Sequence, residues 1–128
     1  MREIRFRIFD KKNKKLLEVD TLFINERMFK PVGGDEYNVW NYDTEYYSNP
    51  MQYTGLKDKN GVEIYEGDIL SHHLQGNRFV EYGSPFKNYG GYMLVSKNGM
   101  RGTLNDSDKL YEVIGNIYEN KELLNTDG

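Results

Sequence analysis

The sequence predicts a mainly β protein whose short strands form a sandwich or a small barrel. Short apolar segments recur along the chain, and turns rich in Gly, Asn and Ser separate them. Aromatic residues are abundant, with 11 Tyr, 6 Phe and 1 Trp among 128 residues, which indicates a folded chain whose core relies on rings. Only the segment NKELL, residues 120–124, is typical of a helical turn. A βαβ fold is therefore not expected.

The N-terminal half shows a hairpin followed by a more irregular segment. Residues 3–9 alternate apolar and charged side chains with the period of a strand. Residues 10–15 form a charged tip, in which Asn13 tolerates the positive φ that a tight reversal needs. Residues 16–24 then read as the return strand, and the aromatic and β-branched residues 37–42 predict a further strand.

The central segment, residues 51–70, contains the most specific turn signals. A strand is expected from Met51 to Thr54, followed by a turn in which Asn60-Gly61 is the dipeptide favoured by type I′ hairpins. A short strand at 62–65 then leads to a second tight turn with Gly67 at its centre. Glycine permits a left-handed backbone there, and the carboxylate of the following Asp can accept a backbone N–H. Further strands are expected within the segments NRFVEY, GGYMLVSK and YEVIGNIY.

Composition excludes several classes of protein. A chain of 128 residues forms one domain, or two small ones that share a core. The absence of cysteine excludes disulfides, thiolate catalysis and cysteine-based metal sites, and fits a reducing cytoplasm. The net charge of −3 gives no general attraction to nucleic acid. No apolar run has the length of a secretory signal or a membrane span, so we expect neither.

The residues of the central turns have a structural and a catalytic interpretation. We interpret them as a structural turn motif, because Asn, Gly and Asp dominate turns for conformational reasons; the motif comprises Asn60, Gly61, Glu66, Gly67 and Asp68. The alternative is a hydrolase that uses Glu66 and Asp68 with a histidine. His72 and His73 are the only histidines, and neighbours on a strand face opposite sides. We therefore expect no enzymatic activity, no catalytic residue, no metal and no cofactor.

Positive charge is concentrated in the first hairpin. The basic residues are Arg5, Arg7, Lys11, Lys12, Lys14 and Lys15. They are candidate phosphate contacts, although lysines also protect strand edges from unwanted pairing. Nearby acidic residues dilute the positive patch, which favours the interpretation as a solvated edge.

A cluster of rings in one segment is the candidate interaction surface. Its members are Tyr37, Trp40, Tyr42, Tyr46 and Tyr47. Such rings most often pack in a core or pair across strands. They are also enriched at subunit contacts, and they can form a platform on which bases or sugars stack. All three interpretations stay open at this point, in that order of preference.

Three segments resemble the YopX-like family. The string MQYTGLKDKNGVEIYEGDI, residues 51–69, looks like the hallmark of that family. REIRFRIFDKKNKK near the N-terminus and YEVIGNIYEN at residues 111–120 resemble its first and last strands. The resemblance implies a protein encoded by phages or prophages, without an established activity, whose C-terminal half resembles an SH3-type β-barrel.

Pattern and resemblance together give a full set of expectations. Residues 1–57 are predicted to form an N-terminal β region, and residues 58–128 an SH3-like barrel domain packed against it. The expected function is that of a non-enzymatic phage or prophage accessory protein in the host cytoplasm, which binds or assembles and forms a homo-oligomer. We also expect a host or phage protein as a partner, and we expect no association with a membrane. The alternative is nucleic-acid binding through the barrel face and the basic hairpin.

Overall fold

The computed structural model describes residues 4–34, 37–72, 76–83, 91–104 and 110–125. These residues form β-strands and one short 3-10 helix, so the predicted mainly β class is confirmed. The chain divides into two compact units, Met1–Gln52 and Tyr53–Gly128. The division into domains at residues 57 and 58 stays a prediction.

The first unit, Met1–Gln52, contains an antiparallel sheet in the order β4-β3-β2-β1. Its strands are β1 (Phe6–Asp10), β2 (Lys15–Phe23), β3 (Met28–Pro31) and β4 (Trp40–Asn41). The start of β5 (Met51–Lys57) pairs with β1 through Met51 and Gln52. The strand predicted over 37–42 is limited to the two residues of β4, and β3 was not expected from the sequence.

The β1–β2 hairpin confirms the predicted reversal but not its geometry. Asp10 pairs with Lys15 across the turn. Lys14, with φ of 54°, is the residue with a left-handed backbone, so the expectation for Asn13 is wrong. Asn13 instead donates its backbone and side-chain N–H groups to the Asp10 carboxylate. The polar side chain of Asn13 therefore supports the turn while the next residue reverses the chain.

The core of the first unit is a small group of large side chains. Ile8, Phe29 and Tyr42 are buried. Half-buried side chains pack against them, namely Leu17, Val19, Leu22 and Tyr47. The strand β1 therefore contributes Ile8 to this core. Arg7, Phe9 and Asp10 are buried as well, so β1 is not the one-sided strand that its alternating pattern predicts.

The second unit, Tyr53–Gly128, contains a five-stranded antiparallel sheet in the order β10-β9-β8-β7-β11. Its strands are β7 (Asp68–His72), β8 (Gly76–Tyr82), β9 (Tyr92–Val95), β10 (Arg101–Thr103) and β11 (Glu112–Asn116). The strand β6 (Glu63–Tyr65) pairs instead with β5. The 3-10 helix η1 (Lys121–Asn125) forms at the predicted helical turn.

The expected SH3-like barrel is not confirmed. A barrel closes only when its first and last strands pair. Over the residues described for this sheet, β10 pairs with β9 and β11 pairs with β7, and the two edge strands do not pair with each other. The sheet is therefore open. The glycine turns that the sequence contains bend the chain without closing the sheet.

The turn after β5 is held by the buried Asp58. One oxygen of its carboxylate accepts the N–H groups of Asn60 at 2.8 Å and Val62 at 2.9 Å, and the other accepts the N–H of Val113 in β11 at 2.9 Å. Gly61 has φ of 83°, whereas Asn60 has no positive φ, so the expected type I′ turn is wrong. The Asp58 N–H donates to the Val62 carbonyl, which defines a three-residue loop with a left-handed glycine.

The turn before β7 has the architecture that the sequence predicts. Gly67 has φ of 84°, and the buried Asp68 accepts the Tyr65 N–H at 2.8 Å. The Gly67 N–H donates to the Val80 carbonyl, and its own carbonyl accepts the Ile117 N–H, both at 2.8 Å. This turn therefore bonds both to β8 and to the residue that follows β11.

The core of the second unit lies on one face of its sheet. Its buried members are Ile64, Leu70, Val80, Tyr92, Leu94, Leu104 and Tyr111. Leu70, Val80 and Leu94 come from the three adjacent central strands and lie on the same face of the sheet. Ile69, Met93 and Val95, which alternate with them, are buried as well. No helical segment in the described parts of the chain has the length and hydropathy that crossing a lipid bilayer requires.

We predict that Asp58→Ala lowers the free energy of unfolding by on the order of 3 kcal/mol, because three partly buried backbone N–H groups lose a charged acceptor. Urea denaturation measures this loss. The exposed Asp20 offers a matched control, and Asp20→Ala should change the same quantity by less than about 0.5 kcal/mol. Equal effects of the two substitutions would contradict the structural role of Asp58.

Candidate functional site

The carboxylates and histidine of the hydrolase interpretation do not come together around a common point. Asp68 is 2% exposed and accepts a backbone N–H of its own turn. His72 is buried with its ring 4.9 Å from that of Tyr111. The two residues lie four positions apart on β7, which corresponds to about 13 Å along a strand. His73 lies outside the described residues. Those residues contain no group of three or more side chains placed to hold a metal ion.

The basic residues of the first hairpin differ in their exposure. Arg7 is buried within β1, and Arg5 is half-buried. The four lysines at the tip are exposed, namely Lys11, Lys12, Lys14 and Lys15. The candidate phosphate contacts that the surface presents are therefore the lysines, because only they can reach a ligand without rearrangement of the strand.

The predicted aromatic surface also divides into core and surface members. Tyr42 is 7% exposed and belongs to the core of the first unit, so it is a core residue rather than a surface one. Tyr47 is half-buried against that core. The other three rings are exposed: Trp40 at 39%, Tyr46 at 52% and Tyr37 at 84%. The segment therefore contributes one side to packing and the other to the surface.

Backbone hydrogen bonds hold the aromatic segment against the basic hairpin. The Lys11 N–H donates to the Tyr46 carbonyl at 2.8 Å, and the Ser48 N–H donates to the Phe9 carbonyl at 3.0 Å. The buried Ser48 hydroxyl accepts the Phe9 N–H at 2.9 Å. Asp10 and Tyr47 form an antiparallel bridge between these bonds. Residues 46–48 therefore run beside the end of β1 and bring the rings to the lysines.

This arrangement creates a pocket of about 510 Å³ in the first unit. The basic hairpin contributes Asp10, Lys12, Asn13, Lys15 and Leu17, and the aromatic segment contributes Asn38, Trp40 and Tyr47; the remaining lining residues are Pro31, Val32, Gly33 and Gly34. Its volume is typical of a small-molecule site. The pocket thus joins members of two sets that the sequence suggests separately, the basic residues and the rings.

The rings of the pocket are fixed by contacts with Phe29. Phe29 meets Trp40 edge to face with centroids 5.9 Å apart, and Tyr47 in the same manner at 5.2 Å. Trp40 and Tyr47 lie nearly parallel, with an interplanar angle of 7° and centroids 6.2 Å apart. Such edge contacts stabilise ring orientation. Trp40 and Tyr47 therefore form a stacked pair that lines the pocket.

Two ionisable groups beside the pocket have shifted pKa values. Burial alone would raise the pKa of Asp10, but the N–H groups of Asn13 and Lys12, together with the positive charge of Lys15, lower it overall. Burial raises the pKa of Tyr47, and the Asp10 carboxylate raises it further. At neutral pH the pocket therefore contains an ionised Asp10, already bonded to its own turn, and a neutral Tyr47 phenol.

A second pocket, of about 570 Å³, lies in the second unit beside η1. Phe79, Val95 and Leu124 give it a mainly apolar lining, beside the charged Lys97, Lys121 and Glu122 and the smaller Ser96, Gly99 and Asn125. None of the residues that the sequence singles out for function lies in it. The pocket of the first unit is therefore the stronger candidate site.

The sequence does not reveal that the basic hairpin and the aromatic segment lie side by side. The bonds that bring these surfaces together join residues 9–11 to residues 46–48, and the intervening chain contains three further strands, β2, β3 and β4. Hydrophobic periodicity reports which residues form strands but not which distant segments meet. A signal was available only in composition, because lysines and rings are the two residue types that the chain concentrates locally.

We predict a pH-dependent contribution of Asp10 to stability. Because the pKa of Asp10 is lower in the folded protein than its ordinary value of 3.8, its stabilisation is complete above that value and is lost as the pH falls through the lower folded-state value. Urea unfolding at several pH values should show wild type more stable than Asp10→Asn at pH 7. The difference should shrink in strong acid. A difference that stays constant down to the most acidic pH would contradict this assignment.

Comparisons with known proteins agree with the architecture. The sequence matches the YopX protein family over residues 5–125, which is nearly the whole chain. The chain is also similar to protein EF1440 from Enterococcus faecalis, whose crystal structure superposes with a TM-score of 0.69 at 30% sequence identity, over 97% of this chain and 99% of that chain. No curated protein matches the chain. The chain therefore belongs to the YopX family.

Proposed function

We propose that this protein is a non-enzymatic binding module that self-associates through the exposed rings of its first unit. The observation that carries the proposal is the exposure of Tyr37, Trp40 and Tyr46 within one short segment. Tyr and Trp are enriched at protein interfaces because they bury large areas and retain a polar group. A second copy of the chain is the occupant that would cover these rings.

The position of the rings beside a sheet edge supports self-association. β4 is the terminal strand of its sheet and includes Trp40. An edge strand presents backbone groups that a second chain can bond. Because a twofold contact places the same patch on both partners, three exposed rings on each copy would meet their equivalents. Such a contact would remove most of their exposed apolar area from water.

The non-enzymatic role is supported by how the buried carboxylates are used. Asp58 and Asp68 accept backbone N–H groups of their own turns, so their oxygens are used to hold reversals of the chain. Acid–base catalysis requires a group that can reach a substrate proton. Asn60, Gly61, Gly67 and Asp68 each take part in the geometry or the hydrogen bonds of these turns, which supports a structural role for the motif.

Family membership supports an accessory role in a phage or prophage. The resemblance of the three sequence segments implies that origin, and the host cytoplasm is the compartment in which a cysteine-free chain of this kind would act. A host or phage protein is the second occupant that the exposed rings could accommodate. A pull-down from infected host cells, with nuclease-treated controls, separates protein partners from nucleic acid.

A second candidate function is nucleic-acid binding. It is favoured by one observation, which is that Lys12 and Lys15 line the same pocket as Trp40. Cations beside an exposed ring are the features with which proteins bind single strands. Since the sheet of the second unit is open, this candidate rests on the hairpin rather than on the face of a barrel.

We predict that purified wild-type protein scatters light as a multiple of 15.1 kDa, the mass of one chain. Replacing Tyr37 and Tyr46 together by Ser should shift the mass toward a single chain, because the interface loses two rings. Tyr82, in the second unit, is 60% exposed, and Tyr82→Ser is the matched control that should leave the mass unchanged. A wild-type protein that stays at 15.1 kDa at every concentration would overturn the proposal.

A further inference from the structure

We infer that the pocket of the first unit binds a nucleotide unit, meaning a nucleobase joined to a phosphate-bearing sugar. The nucleotide could be free or part of a single strand, since both present the same ring and anion. This inference rests on the nucleic-acid candidate above and names its site. It competes with self-association for Trp40, because a second copy seated on that ring would cover part of the pocket lining.

The rings of the pocket fit the base. Trp40 and Tyr47 line the cavity as a pair of rings stacked on each other, and the 39% of Trp40 that remains exposed is the ring surface left for a base. Phe29 supports both rings from the core side, so they are ordered before a ligand arrives. A planar base stacks on such a ring without a sequence preference, and little conformational entropy is lost when the protein side is already fixed.

The charges of the pocket fit the phosphate. Lys12 and Lys15 both line the cavity and are exposed, and within the described residues neither forms an ion pair. The acidic group in the lining is Asp10, whose carboxylate accepts the N–H groups of Lys12 and Asn13. An anion is therefore attracted by two lysines, and the single Asp10 carboxylate of the lining offsets only part of their positive charge.

The remaining lining offers room and hydrogen bonds for a base edge. Asn38 provides an amide, which both donates and accepts. At Gly34 a Cβ atom would lie 3.2 Å from the Cβ of Asn38, so glycine lets the backbone pack closely against Asn38 in this wall of the pocket. The cavity of about 510 Å³ lies within the range of small-molecule sites. A purely apolar ligand would leave the lysines unused, and a cation would be repelled by them.

The intrinsic tryptophan fluorescence of the protein can be used to measure binding at this pocket. Trp40 is the only tryptophan of the chain, so a change in tryptophan emission reports on the pocket itself. We propose titrations at low salt with five probes: adenosine monophosphate, adenosine, ribose 5-phosphate, inorganic phosphate and a short single-stranded oligonucleotide. Adenosine monophosphate or the oligonucleotide should quench Trp40, and adenosine, ribose 5-phosphate and inorganic phosphate should each bind at least about tenfold more weakly.

Variants separate this site from general charge effects. Lys12→Gln and Lys15→Gln should each weaken nucleotide binding by about tenfold and reduce its salt dependence. Lys57 is exposed on β5, and Lys57→Gln is the control with the same change of charge, which should leave binding unchanged. Circular dichroism of each variant checks the fold. Light scattering of the same samples separates binding from any change in self-association.

Each outcome decides the inference. Quenching by both adenosine monophosphate and the oligonucleotide supports a site that accepts free nucleotides and nucleotides within a single strand. Quenching by only one of these probes identifies which of the two the site binds. No binding of either overturns the inference, and so does inorganic phosphate that binds as tightly as the nucleotide. If the oligonucleotide binds Lys12→Gln and Lys15→Gln as tightly as wild type, the assignment of binding to this pocket is overturned. The broader nucleic-acid candidate would then still stand.

Discussion

The functional interpretation depends on a short backbone pairing between the end of β1 and residues 46–48. Phe9 and Ser48 exchange hydrogen bonds in both directions, and Lys11 donates to Tyr46. This pairing lays an aromatic segment along a basic hairpin, which neither segment would do by its own propensity. Because the buried Ser48 hydroxyl accepts a backbone N–H, an alanine there would leave that donor unsatisfied. The pocket, its rings and its lysines all follow from this contact.

Buried carboxylates at turns are the second constraint on the molecule. Asp10, Asp58 and Asp68 each accept backbone N–H groups in or beside a reversal of the chain. A charged acceptor strengthens such bonds, which lets short strands meet at sharp angles without a large aliphatic core. The same use of the carboxylates leaves the rings and the exposed lysines as the groups best placed to contact another molecule. This distribution is the basis of the proposed binding role.

The sequence predicts the local structure better than the long-range arrangement. The alternation around Ile8 predicts β1, and the Gly67-Asp68 pair predicts its turn, because both signals act between near neighbours in the chain. At Asn60 the expected type I′ turn is wrong, and the chain forms a three-residue loop instead. The Asp58 carboxylate within this loop accepts the N–H of the distant Val113, a contact that the local sequence does not indicate. The expected barrel failed for a similar reason, because sheet closure depends on pairing between edge strands that no local pattern encodes. The candidate site shows the same limit: its lysines and rings were recognised singly, while the pocket that joins them depends on a distant pairing.

Amide hydrogen exchange of Lys11 and Ser48 tests this account most directly. Lys11 directly follows the end of β1 at a charged hairpin tip, and an isolated hairpin would leave its N–H open to water. Pairing with Tyr46 predicts that the N–H groups of Lys11, Phe9 and Ser48 exchange slowly, with protection close to that of the adjoining strands. Exchange of Lys11 and Ser48 at the rate of an unstructured peptide would mean that the aromatic segment does not lie on the basic hairpin, and would contradict the account.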